Sequence, residues 1–336
     1  MKSTKSFYNP FQKMSFTDDR CFLCGKRLKT KTAEHVFPKW LLDEYDLWNQ
    51  KIVLLNGTKI NYRQLTIPCC EECNNIYLSR VENQIRKSYF KGFNDFLKVD
   101  KLQVYQWIGK IFYGLLFREL SLLLERADPE KGSITNPNLL KEFETFYGFL
   151  QSIRTPFEFL NFKPWSIFVL NLHICDNFSH FDYRDSFFFM TFSIRMGNIG
   201  IIACLGDNGA QNDLFRDYYR KLQKIKLHPI QFDELCAKVT YKSSLFNRNP
   251  SYITIMPENK EEVTKVFTLP LQGLSSKPVY DDWIQKEYAK FLTSFLKAYN
   301  VEPDDLFREP NQVMTFIEEN KKIKVLNNKG EVEGLI

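Results

Sequence analysis

The sequence predicts an α+β protein in which a small cysteine-bearing module at residues 1–98 is followed by a mixed α/β body at 99–336. Three observations predict it. Apolar residues recur at helical spacing in several segments, other segments are runs of β-branched and aromatic residues, and cysteines and positive charge crowd into the first third. A chain of 336 residues that is 44% hydrophobic and 26% charged, with 14 Gly and 14 Pro, is neither disordered nor collagen-like and has the length for about two packed units. With 31 Phe among its residues, those cores are expected to be Phe-rich.

Residues 1–20 read as a basic arm leading into Cys21. Short loops and strands follow to about Ile67, and Lys51–Leu55 and Lys59–Ile67 flank Asn56-Gly57-Thr58, whose Asn-Gly pair favours a tight hairpin. A helix is expected from near Glu71 to about Leu97, because Ile76, Val81, Ile85, Phe90 and Phe93 keep roughly helical spacing. Leu102–Arg126 and Pro137–Ser152 read as two further helices separated by the turn-like Asp128–Ser133. The body is thus expected to be helical over 99–155, mixed over 156–270 and helical over 271–320. Trp165–Ile174, Ser186–Met196 and Ile199–Leu205 read as strands, the last two joined at Gly197-Asn198 as a buried antiparallel hairpin. Within them the run Phe187–Phe192 reads as core, since a base-stacking platform needs isolated aromatics with basic neighbours. Helical pattern returns at Asn212–Lys224, Phe232–Ser243 and Val279–Tyr299, Tyr252–Met256 reads as a short strand, and the polar tail from about Lys321 is expected to fray.

Residues 1–98 carry 17 Lys and Arg against 10 Asp and Glu, net +7, whereas residues 99–336 carry 29 against 30, net −1. A basic module on a neutral body predicts one segment that meets phosphate and another with a different task. No apolar core of signal-peptide length follows the N-terminal Met-Lys-Ser-Thr-Lys-Ser-Phe, so a cytoplasmic protein with reduced thiols is expected. Lys110, Arg118 and Glu119 interrupt the most apolar helix, which marks it as buried rather than membrane-spanning.

Chemistry concentrates in three short motifs: Cys21-Phe22-Leu23-Cys24, then Glu34-His35-Val36-Phe37-Pro38-Lys39-Trp40, then Cys70-Glu71-Glu72-Cys73-Asn74-Asn75. In a reducing compartment, clustered cysteines point to metal before disulfide. Two Cys-x-x-Cys pairs supply the four thiolates of a tetrahedral structural Zn²⁺, with Cys69 a competing thiol beside Cys70. Pro38 and Trp40 are expected to turn the chain and pack behind the strand. A pure zinc finger or a redox Cys-x-x-Cys would use the cysteines and leave Glu34-His35 and Asn74 without a role.

The combination resembles the HNH endonuclease family in its zinc-stapled form, over roughly residues 21–86. The resemblance implies a ββα-metal fold of the treble-clef kind, with His35 as general base and Glu34, where the family usually has Asp, as a ligand of a catalytic Mg²⁺ or Mn²⁺. It makes Asn74 the other ligand, with Asn75 the substitute if the helix starts one residue later, and makes Cys21, Cys24, Cys70 and Cys73 the zinc ligands. It further implies a nuclease acting on DNA, which Lys39, Arg80, Arg86 and Lys87 are positioned in sequence to contact. By analogy with antiviral defence proteins, residues 99–336 would bind a partner protein or a small-molecule activator. A homodimer, or successive nicks, would be needed to cut both strands. The competing class is a non-catalytic zinc-finger adaptor, and a third is a restriction or homing nuclease acting alone. Elsewhere His173, Cys175, His180 and Asp182 read as ordinary residues rather than a second metal site, and His228 beside Pro229 as a helix-start residue.

Overall fold

Strand β1 (Ala33–His35) carries Glu34 and His35 and pairs antiparallel with β4 (Thr66–Pro68), so that His35 lies opposite Thr66 and Ala33 opposite Pro68. These assignments come from a computed structural model that describes residues 7–12, 14, 16–30, 32–120, 122, 130, 137–257, 263–308 and 312–336. Between the two strands the chain inserts helix α1 (Lys39–Glu44) and an antiparallel pair, β2 (Lys51–Val53) with β3 (Lys59–Asn61). That pair is the hairpin predicted from Asn56-Gly57, and Gly57 takes the positive φ the turn requires. After β4 a π-helical turn, Cys73–Leu78, runs into α2 (Ser79–Phe90). Gly92, at φ 95, ends the helix short of Leu97, and the short α3 (Phe93–Phe96) follows.

Helix α4 (Lys101–Leu120) is buried on nearly every face, as expected of an apolar helix that is not a membrane span. Among the described residues no helix is long and apolar enough to cross a membrane. Helix α5 (Pro137–Leu150) and strand β5 (Phe157–Phe159) come next. The predicted turn Asp128–Ser133 and the end of the predicted helix beyond Leu120 fall almost wholly outside the described residues.

Two compact units divide the chain: Met1–Phe90, Lys98–Glu158 and Ile255–Lys265 form one, and Lys91–Leu97, Phe159–Thr254 and Val266–Ile336 the other. The helical stretch 99–155 therefore joins the cysteine module and not the body, which moves the expected boundary at 98. Helix α4 is why. Its Lys110 bonds β1, its Arg118 Nε donates to the Thr66 carbonyl of β4, and its Glu119 carboxylate accepts from the Leu55 amide at 3.0 Å. Trp40 and Trp107 stack in the same core with centroids 6.4 Å apart, so Trp40 packs inward as the sequence predicts.

In the second unit, β6 (Ser166–Leu172), β7 (Phe181–Ser186), β8 (Thr191–Met196), β9 (Ile199–Cys204) and β10 (Lys226–Leu227) form a sheet in the order β10-β6-β9-β8-β7. The β8–β9 hairpin turns at Gly197-Asn198 as predicted. Strand β7 was not foreseen, and Phe187–Met190 form the turn after it, leaving Phe188 72% exposed; of that run only Phe192 is core. The predicted helix Asn212–Lys224 breaks at Phe215 into α6 (Ala210–Leu214) and α7 (Arg216–Leu222). Helix α8 (Pro229–Ser244) opens on His228, whose Nδ1 accepts from the Ile230 amide, confirming the helix-start reading. Tyr252–Ile255 is a strand as expected, and helix Gln285–Phe295 is shorter than its prediction. The tail does not fray: Glu318–Glu319, Lys322–Leu326 and Val332–Leu335 form an antiparallel sheet that buries Ile323 and Leu326. Taken together the elements give a mixed α/β architecture consistent with α+β.

Candidate metal centre and active site

Each Cys-x-x-Cys pair is shaped by backbone bonds. The Gly25 amide donates to the Cys21 carbonyl at 2.9 Å, closing the first knuckle, and Gly25 sits at φ 72, where a Cβ would come 2.3 Å from the Tyr8 ring. Glycine is required there on both counts. In the second knuckle the Cys73 amide donates to the Cys70 sulfur at 3.5 Å. The two knuckles meet because the Phe22 amide donates to the Pro68 carbonyl at the end of β4, while Tyr147 of α5 donates its hydroxyl to the Phe22 carbonyl at 2.5 Å.

Their sulfurs converge. Those of Cys21, Cys24, Cys70 and Cys73 all lie within 4.8 Å of one another, and among the described residues this is the one group of three or more His, Cys, Asp or Glu so clustered. The Cys24 and Cys70 sulfurs are 3.7 Å apart. Four sulfurs at ~2.3 Å from a tetrahedral ion would be ~3.8 Å from each other, so the donor set fits a metal ion such as zinc. Cys70, rather than Cys69, completes the four. Cys69 takes another place: its thiol donates to the Cys70 carbonyl at 3.6 Å. Bonds from Cys24, Cys69 and Cys73 hold the Cys21 thiol far below its usual range, and the same bonds push Cys69 and Cys73 up and Cys24 up to about 11.

His35 ends β1, half-buried, with its ring edge-on to Trp48 at 5.4 Å. Burial, with Lys39 nearby, lowers its pKa below 6.5, so the imidazole is neutral at pH 7 and able to accept a proton. Asn74 lies half-buried in the π-helical turn directly after Cys73, with Asn75 exposed beside it. Glu34 is 8% exposed, and its Oε1 accepts from the Lys110 ammonium at 2.8 Å. The divalent ion expected between Glu34 and Asn74 does not fit this arrangement, because the carboxylate is buried against a cation already supplied by the chain. Lys39, Arg80, Arg86 and Lys87 are all exposed; Arg86 lies over the Phe90 ring at 5.9 Å, and Arg80 donates to the Ile153 carbonyl at 3.1 Å.

Lys110 and Glu82 are site residues that sequence reasoning did not assign. A signal for Lys110 existed, a lysine in the middle of the most apolar helix, but it spoke only against a membrane span. The His173, Cys175, His180 and Asp182 group does not come together as a metal cluster. No family model matches the chain, and neither the curated proteins nor the solved structures contain a match to it.

Proposed function

We propose that the first unit is a zinc-stapled nuclease of the HNH kind that hydrolyses phosphodiester bonds in DNA. The observation that carries this reading is the fastening of β1, with its neutral His35, through β4 to the four-cysteine cluster and to the helix bearing Asn74. Zinc would be held by Cys21, Cys24, Cys70 and Cys73 and would act as a staple, fixing the angle between β4 and the helix. His35 would accept the proton of the water that attacks phosphorus, and exposed Lys39, Arg86 and Lys87 would hold the phosphate backbone. Asn74 remains a candidate donor for a divalent ion, and no step is assigned to Glu34. The second unit, with its own sheet and neutral charge, would bind the activating partner or ligand.

Nicking of supercoiled plasmid in Mg²⁺, in Mn²⁺ and in chelator tests the proposal. Wild type should nick, and His35→Ala should lose at least about a hundredfold in rate, the lower end expected for a general base. Because the folded pKa of His35 is lowered, its basic form persists to lower pH, and the acid limb of the rate profile should have its midpoint below 6.5. Undiminished nicking by His35→Ala would sink the mechanism. A second reading, a zinc-stapled nucleic-acid-binding adaptor without catalysis, is favoured specifically by the engagement of Glu34 with Lys110. Plasmid binding without nicking by wild type under all three conditions would select it.

A further inference from the structure

Four oxygens surround the Lys110 ammonium. Its Nζ donates to Glu34 Oε1 at 2.8 Å, Glu82 Oε1 at 2.8 Å, the His35 carbonyl at 2.6 Å and the Val36 carbonyl at 3.2 Å. The three side chains come from three elements, β1, α2 and α4, and the lysine is 1% exposed. Two carboxylates and two carbonyls are hard oxygen donors, the kind a Mg²⁺ or Ca²⁺ site is made of. Here the cage is filled from within.

The electrostatics agree with the geometry. Burial opposes the charge on Lys110, but Glu34 and Glu82 outweigh it and raise its pKa above the usual lysine value, so the ammonium stays charged. Burial pushes the Glu82 carboxyl above its usual range, and Lys110 offsets only part of that rise. A divalent ion on Glu34 would stand beside this ammonium in a region from which water is excluded, where like charges are little screened.

We infer that Glu34, Glu82 and the carbonyls of His35 and Val36 form a cation site whose occupant is Lys110 itself, so that Glu34 ligates no divalent ion in this protein. The inference stands whether or not the first unit cuts DNA. It makes the ammonium a clamp on the His35 end of β1, replacing the metal that the sequence resemblance assigns to Glu34.

Electron paramagnetic resonance of free Mn²⁺, titrated with the full chain, counts bound ions without reference to activity. Wild type and Glu34→Gln should take up Mn²⁺ equally. Lys110→Ser, which removes the ammonium and leaves the four oxygens, should gain one further Mn²⁺ per chain, and Lys110→Ser/Glu34→Gln should lose that gain. A stoichiometric Mn²⁺ complex of wild type that Glu34→Gln abolishes would overturn the inference, as would a folded Lys110→Ser that gains no ion. Should circular dichroism show Lys110→Ser unfolded, wild type against Glu34→Gln decides alone: equal uptake supports the inference and loss refutes it. Plasmid nicking is scored separately, so a failure of the nuclease reading leaves the ion count unaffected.

Discussion

At the residue scale, the cysteines were legible and the lysine was not, for a physical reason. A two-residue gap between thiols is itself a local geometry, so Cys21, Cys24, Cys70 and Cys73 announce their convergence along the chain, and 70 with 73 is the pair the structure brings to the cluster. Cys69 lies outside that cluster, its thiol donating to the Cys70 carbonyl, and should not be a ligand. Metal analysis of purified variants is expected to show full zinc in Cys69→Ser, whose hydroxyl can still donate to the Cys70 carbonyl, and loss of zinc in Cys70→Ser; the reverse pattern would transfer the ligand role to Cys69. Lys110 is another matter, because its carboxylate partners are 76 and 28 positions away and no spacing rule connects them. Glu34 was readable as an acidic neighbour of His35, yet which cation it faces is decided by helix α4, whose placement depends on the whole unit.

At the element scale, the parts read correctly were those whose period or turn chemistry is strong: the hairpin at Asn56-Gly57, the buried helix α4, and the β8–β9 pair around Gly197-Asn198. Strand β7 and the C-terminal sheet escape a sequence reading because polar and charged residues interrupt their apolar ones, a pattern that reads as solvent exposure. Phe187–Met190 failed in the opposite direction: four residues rich in apolar groups sit in a turn, where Met190 takes φ 47 and Phe188 faces solvent. The tail gives a clean test of this correction. Ile323 is 2% exposed and belongs to the same cluster as Phe168, Leu170 and Leu235, so Ile323→Ala should cost about 2–5 kcal/mol in chemical denaturation monitored in the second unit. A frayed tail would make the same substitution nearly neutral, within about 0.5 kcal/mol.

At the scale of the whole molecule, the charge division and the structural division do not coincide. Positive excess ends near residue 98, while the first unit continues through α4 and α5 to Glu158. Those helices contribute the internal scaffold of the unit, through Lys110, Arg118 and Tyr147, and the residues before them contribute most of its exposed basic surface. If that surface meets DNA phosphates, binding should weaken steeply with salt, and each phosphate contact removed should flatten the slope of log affinity against log salt by about 0.9. The four basic candidates are then separable. Arg86→Ala, Lys87→Ala and Lys39→Ala should each flatten the slope, because these side chains lie on the exposed surface of the unit. Arg80 is exposed as well, but its guanidinium is engaged by the Ile153 carbonyl within the unit, so Arg80→Ala should leave the slope unchanged and instead lower stability by about 1 kcal/mol. Fluorescence anisotropy of a labelled duplex across a salt series reads all four slopes. A slope unmoved in the triple variant of Lys39, Arg86 and Lys87 would mean that the basic excess is merely solvated and that nucleic acid, if bound, is held elsewhere.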